Sequence, residues 1–312
     1  MIVALAGGVG GARLAVGLAA VLPPERLTIV VNTGDDFEHL GFTICPDLDT
    51  VTYTLAGLNN RELGWGRADE TWSFMETLGA LGGETWFRLG DRDLALHVAR
   101  TRALGAGATL SQVTLEVAGR LGVRHAVTPM SDDPVRTRVS TDAGELSFQD
   151  YFVKRRCEPR VTGFRFAGAE DARPSPGVRA LFDADIAALI VCPSNPFVSI
   201  APMLAIPSIC EWIGRRRFPV IAVSPIVGGD AVKGPAAKMM RELGLAVSAS
   251  AVAKHYGALV DGWIVDERDA SEARTIEAAG KRVCVTDTMM TDVARSAALA
   301  RAATDFAGTL RR

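Results

Sequence analysis

The chain has 312 residues, 48% hydrophobic and 22% charged, with a formal net charge of −2. That balance suits a large buried core and excludes the basic excess of a nucleic-acid-binding protein; no uninterrupted apolar run of about 18 residues is present to cross a membrane. Five scattered cysteines with no CxxC pair exclude a zinc or disulfide framework and predict a reducing, cytoplasmic setting.

The predicted elements begin with an apolar strand at 2–5 that breaks into Ala6-Gly-Gly-Val-Gly-Gly-Ala-Arg13 and enters a helix. With no charged leader before this short apolar run, a signal peptide is not expected. Further β-branched runs follow at 27–31, 187–192, 220–223, 262–265 and 282–285, each ending in polar residues before a helical stretch. Continuous apolar strands alternating with helices predict an α/β fold: a Rossmann-like, mostly parallel sheet with helices on both faces. Two stretches interrupt that rhythm. Residues 57–125, with Trp65, Trp72, Phe74, Trp86 and Phe87, read as a helical insertion. Residues 135–168 contain a β-hairpin signal, because Asp142-Ala-Gly separates the alternating runs Arg138-Val-Ser-Thr and Glu145-Leu-Ser-Phe. Arg215–Arg217 read as a solvated helix end, and 293–312 as a closing amphipathic helix. The whole chain, 1–312, is predicted as one α/β domain.

The chemistry collects at the ends of these strands. The glycine loop fits a phosphate or diphosphate, since glycines permit close approach and the following helix offers N–H groups and a positive dipole end. It fails two nucleotide fingerprints: Arg13 stands where the dinucleotide pattern needs Gly or Ala, and no Gly-Lys-Ser/Thr ending is present. Asn32-Thr-Gly-Asp-Asp36 can be a turn, a ribose contact or a Mg²⁺ contact. Asp47 and Asp49 precede a helix; capping is one reading, and a divalent-metal phosphoryl-transfer site shared with Asp35 and Asp36 is the other. Around Gly90, Arg88 and Arg92 with two acids are either a surface ion-paired helix start or a fork for a phosphate. Cys192-Pro-Ser-Asn-Pro196 and Val223-Ser-Pro-Ile-Val-Gly-Gly229, followed by Lys233, offer uncharged donors and a cation at two more strand ends. No Gly-x-Ser-x-Gly elbow occurs, and His39, His97, His125 and His255 have no Ser or Cys partner nearby in sequence. Direct displacement at phosphorus is therefore favoured over a covalent intermediate.

Taken in order, Ala6–Leu14, Asn32–Asp36, Asp47-Leu-Asp-Thr-Val51, Gly90-Asp-Arg-Asp-Leu94, Phe148-Gln-Asp-Tyr-Phe152, Pro193–Ile200 and Ser224–Gly229 with Lys233-Gly-Pro235 resemble the 2-phospho-L-lactate transferase family of coenzyme F420 biosynthesis. The resemblance runs from residue 1 to about 290. It implies transfer of a 2-phospholactyl or phosphoenolpyruvyl group from a diphosphoguanosine donor to the ribityl hydroxyl of the deazaflavin Fo, with release of GMP and a need for Mg²⁺. In this family Fo is held by an aspartate and a basic residue that fall on Asp49 and Arg88; the family often has lysine at the second, and arginine bonds as a planar fork.

Placed on this chain, Asp49 is the expected catalytic residue and, with Asp35, the expected metal contact. Gly8, Gly10 and Gly11 would cradle the diphosphate. Ser194, Asn195, Gly228, Gly229 and Lys233 would hold the guanosine end, and the aromatic-rich insertion would cover the deazaflavin ring. The expected partners are these two small molecules, with no nucleic acid and no membrane, in a homodimer. Two other readings stand beside this one: a nucleotide-sugar-binding regulatory protein of a related fold, and an NAD-dependent dehydrogenase.

Overall fold

The computed structural model describes residues 1–62 and 64–310. Seven strands form one sheet in the order Arg282–Thr286, Gly262–Asp266, Val220–Val223, Ala188–Val191, Ile2–Ala6, Leu27–Val31 and Ala126–Pro129, and every neighbouring pair is parallel. From the Ile2–Ala6 strand the chain builds outward in one direction through two strands. It then returns to the other side of that strand and builds the remaining four. The reversal falls between Ile2–Ala6 and Ala188–Val191, and in such sheets the crevice at this point, beyond the strands' carboxyl ends, is where ligands bind.

Alternate side chains explain why the sheet is covered on both faces. Val3 and Leu5 enter one apolar core with Val30, Leu189 and Val191. Ile2, Ala4 and Ala6 enter the other with Ile29, Val31, Ile190 and the buried stripe Ala12, Leu14, Ala15 and Leu18 of the Gly8–Val21 helix. The closing helix spans Val293–Thr309, is capped by the Asp292 side chain accepting from the Arg295 N–H, and feeds Leu299, Ala300 and Ala303 into the second core. Arg216 departs from a solvated helix end, because it bonds Asp261 and the Ile213 carbonyl from a largely buried position.

The insertions take definite forms. Residues 57–125 hold the helices Ser73–Ala80, Asp91–Gly105 and Leu110–Arg120, the last with a Thr109–Gln112 capping box. The hairpin pairs Arg138 with Ser147 and Thr141 with Gly144. A third strand, Val161–Ala167, then lies along the other edge of Arg136–Thr141, making a three-stranded antiparallel sheet. Phe37–His39 and Phe42–Ile44 form a second small hairpin. No single helix among the described residues is long and apolar enough to cross a membrane, and none of the five cysteines is in a disulfide.

Candidate functional site

Gly7 leaves the first strand, and the helix begins at Gly8 with a left-handed φ of +60°, a conformation that costs least at glycine. The loop is held from two sides. The Ser194 hydroxyl accepts from the Gly7 N–H at 3.1 Å and donates to the Gly7 carbonyl at 2.8 Å, while the Gly8 N–H donates to Asp47 Oδ1 at 2.7 Å. A Cβ on Gly10 would run into the Pro193 carbonyl, and one on Gly11 would meet the Ser194 hydroxyl. These two glycines therefore let the loops following the first and fourth sheet strands, Ile2–Ala6 and Ala188–Val191, close together. Gly8 and Gly10 line a cavity of about 630 Å³ at the sheet's reversal point; Gly11 does not.

Asp35, Asp47 and Asp49 all line that cavity and are all buried, but they do different things. The helix runs Pro46–Leu55, so Asp47 and Asp49 both sit in its first turn. Two residues apart on a helix, their side chains diverge by about 200°. Asp47 faces the glycine loop, with Oδ2 accepting from the Asn32 side-chain amide at 2.9 Å. Asp49 faces the opposite way, into the Asp91–Gly105 helix. There the Arg100 guanidinium grips both its oxygens, through Nη1–Oδ2 at 3.1 Å and Nη2–Oδ1. Pairing Asp35 with Asp49 on one metal ion is thus a poor fit, and Asp47 is the carboxylate that faces the same end of the cavity as Asp35.

The electrostatics agree with that division. Burial pushes Asp35 well above the ordinary carboxylate range, and the charge of Asp47 pushes it further. Burial raises Asp47 to about 6 and Asp36 to about 7, the latter partly offset by Arg136. Asp36 Oδ1 is buried with no hydrogen-bond partner. Three buried acids with too little positive charge around them are suited to a divalent cation, which prefers oxygen ligands.

At the other end, Arg88 lines the cavity and lays its guanidinium over the Trp72 ring at 4.1 Å. Phe87 from the helical insertion contributes apolar wall there, while Trp65, which also lines the cavity, follows Gly64 beside Val9 and Lys233 on the glycine-loop side. Phe148 and Phe152 face the cavity as well, stacked with centroids 5.3 Å apart and planes 6° apart.

The two later loops divide likewise. Ser194, Asn195 and Lys233 line the cavity. The Ser194 hydroxyl is occupied by Gly7, and Asn195 Oδ1 caps the following turn by accepting from the Phe197 N–H at 2.9 Å. Lys233 Nζ reaches the Glu62 carbonyl at 3.4 Å. Gly228 and Gly229, expected at the guanosine end, do not line it: they turn the Ile226–Val227/Asp230–Ala231 hairpin at φ +61° and +78°, and the Gly228 N–H donates to both oxygens of Asp269 at 3.0 Å. A smaller adjoining cavity of about 70 Å³ is lined by Arg13, Lys233, Asn195 and Ser224.

Three further cavity residues are not among the site residues expected from the sequence, although Asp93 is one of the two acids beside Arg88 and His97 one of the histidines weighed there: Tyr53, Asp93 and His97, backed by Arg100. Asp93, His97 and Arg100 are four and three residues apart and so share one helix face, a spacing that flags a buried polar stripe on an otherwise surface-like helix. The Tyr53 hydroxyl donates to Asp93 Oδ1 at 2.6 Å, and His97 Nε2 lies 3.3 Å from Asp93 Oδ2. Burial pushes Asp93 up, but the His97 and Tyr53 contacts outweigh it and hold its carboxyl below the ordinary range. Burial also works against the Arg100 charge, and Asp49 overrides it. Removing one partner of such a buried pair costs roughly 3–5 kcal/mol.

Comparison with known proteins gives the family. The family described as 2-phospho-L-lactate transferase CofD matches residues 2–304. A phosphoenolpyruvate transferase of Streptomyces griseus subsp. griseus is 47% identical over 317 residues, covering 99% of each chain. A 2-phospho-L-lactate transferase of Methanosarcina acetivorans is 40% identical over 296 residues, covering 95% of each. Among solved structures, a UPF0052 family protein of Bacillus halodurans superposes with a TM-score of 0.59 over 92% of this chain and 91% of that one at 17% identity, a likeness of fold alone. The chain belongs to the 2-phospho-L-lactate transferase CofD family.

Proposed function

We propose that this protein transfers a phosphoenolpyruvyl group, or the related 2-phospholactyl group, from a diphosphoguanosine donor to the ribityl hydroxyl of Fo, releasing GMP. The observation that carries the reading is the mixed lining of the 630 Å³ cavity: under-compensated acids beside a glycine loop, Asp49, and a wall of Phe87, Phe148, Phe152 and Arg88. The phosphoenolpyruvyl form is put first because relatives bearing that name are 44–47% identical to this chain, against 38–40% for those named for phospholactate.

In this arrangement the donor diphosphate lies along Gly8 and Gly10, with Lys233 and Arg13 toward its nucleotide end. Asp35 and Asp47 would hold Mg²⁺, which when bound neutralises charge on the diphosphate. Asp49, its orientation fixed by Arg100, accepts a hydrogen bond from the ribityl hydroxyl and aims that oxygen at the phosphorus nearer the enolpyruvyl group. A new O–P bond forms as the bond to the GMP oxygen breaks, and the hydroxyl proton passes to the Asp49 carboxylate and on to solvent. Arg88 and the aromatic walls hold the planar ring of Fo. Homodimer formation, checked by light scattering, belongs to the same proposal.

The test is incubation with Fo, Mg²⁺ and either donor. GMP release matched by a phosphoenolpyruvyl- or phospholactyl-Fo mass supports the reading, and no GMP with either donor overturns it. Tight binding of a UDP-sugar without turnover would turn the assignment toward a regulatory protein.

A further inference from the structure

One set of side chains has the spacing of a cation site but already contains a positive charge. Ligand atoms of Asp49, Asp93 and His97 all lie within 4.8 Å of one another. Asp49 Oδ2 is 3.8 Å from His97 Nδ1, and Arg100 Nη1 is 3.5 Å from that same nitrogen. Arg100 is 4% exposed and also donates to the Thr43 carbonyl at 3.3 Å, so its guanidinium is fixed by at least two elements. Arginine stays charged at any working pH, and its planar fork matches both carboxylate oxygens at once.

We propose that Arg100 is the resident cation of this second cluster: it keeps a divalent ion away from Asp49, confines that ion to Asp35 and Asp47, and holds the Asp49 carboxylate in the one orientation that meets the acceptor hydroxyl. The roles of the ion and the acceptor rest on the function proposed above. The physical need is plain. Asp35, Asp47, Asp49 and Asp93 line one cavity, and Asp36 is buried next to Asp35. Without a built-in positive charge, an ion could settle at either end of the group, and an ion on Asp49 would displace the hydroxyl. Arg100 is a positioning residue, since it touches Asp49 and does not itself line the cavity.

The experiment is a Mn²⁺ titration of the full chain, read by electron paramagnetic resonance without either substrate, on wild type, R100M and R100K. Wild type is expected to bind one Mn²⁺ with no histidine-nitrogen coupling in the pulsed spectrum. R100M should bind a second, showing nitrogen coupling that disappears in R100M/H97Q. R100K, which keeps the charge but lacks the fork, should retain one Mn²⁺ and raise the acceptor KM roughly tenfold to a hundredfold, the loss of one charge-assisted hydrogen bond, with the donor KM unchanged. Histidine-coupled Mn²⁺ in wild type overturns the proposal, as does a folded R100M that gains no second ion. Should R100M fail to fold, the wild-type spectrum and the acceptor KM of R100K decide: nitrogen coupling in the first, or no change in the second, is fatal. Because the Mn²⁺ count needs no turnover, absence of GMP release would sink the transferase reading while leaving this test in force.

Discussion

At the scale of single residues, Asp47 and Asp49 show how two neighbours of the same type are given different work. The first turn of one helix points Asp47 at the glycine loop and Asp49 at Arg100. D47N is expected to abolish the cation-induced rise in melting temperature along with turnover. D49N should keep that rise and lose turnover, and calorimetry of both variants with and without Mg²⁺ checks the split. A D47N protein still stabilised by Mg²⁺ would remove Asp47 from the cation site. At Gly10 the issue is space, because a methyl group meets the Pro193 carbonyl, which is backbone and cannot swing away. G10A should lower stability by about 1–3 kcal/mol in urea unfolding.

The same residues mark how far the sequence could be read. That acids cluster after the second strand was visible; which acid faces which ligand was not, since it depends on whether the helix starts before or after Asp47. With the helix starting at Pro46, a pair read as adjacent becomes a pair turned apart. Gly228 and Gly229 carried a phosphate-loop signal that is equally the signal of a tight hairpin turn, and the Asp269 carboxylate that uses the Gly228 N–H lies 41 residues further along the chain.

At the scale of elements, five of the six short apolar runs are strands buried on both faces, which removes any alternation; the sixth, Arg282–Thr286, is an edge strand with no fully buried residue. The seventh strand, Ala126–Pro129, ends in proline, which cannot donate to a ladder, and it sits at the sheet edge with a weak signal. Asp142-Ala-Gly fixed the hairpin register, whereas the third strand, Val161–Ala167, gave no local cue: its pairing is decided by tertiary contact. Phe148 and Phe152 also stand out only once their segment folds back over the cavity. F152A should raise the acceptor KM several-fold while leaving the donor KM unchanged, measured by steady-state kinetics against each substrate; equal changes in both would reject its place in the acceptor wall. R88A should weaken acceptor binding more than donor binding in calorimetric titration.

For the molecule as a whole, the acids link stability to pH and to the cation. Asp36 and Asp47 are raised in the folded state to about 7 and about 6, so between about pH 4 and pH 7 the folded chain binds more protons than the unfolded one. Their contribution is therefore favourable at the acidic end of that window and is lost as pH rises through those values. A divalent ion replaces the protons. Its stabilisation should be larger near pH 8 than near pH 5.5, measured as the Mg²⁺-induced shift in thermal unfolding at each pH. An equal shift at both would mean that the raised acids do not bind the ion.

The origin of the cavity walls has one more consequence. Its floor comes from the ends of the sheet strands, at Gly8, Asp35 and Ser194, while Trp65, Phe87, Phe148 and Phe152 come from the two inserted segments. The same inserted segments also supply Arg100, which holds Asp49, and Thr137, whose hydroxyl lies 3.5 Å from Asp35. Under the function proposed above, exchanging residues 57–125 and 135–168 between relatives would replace the aromatic walls together with the partners of Asp49 and Asp35, so a change of acceptor and a resetting of the reacting carboxylates would arrive in one step.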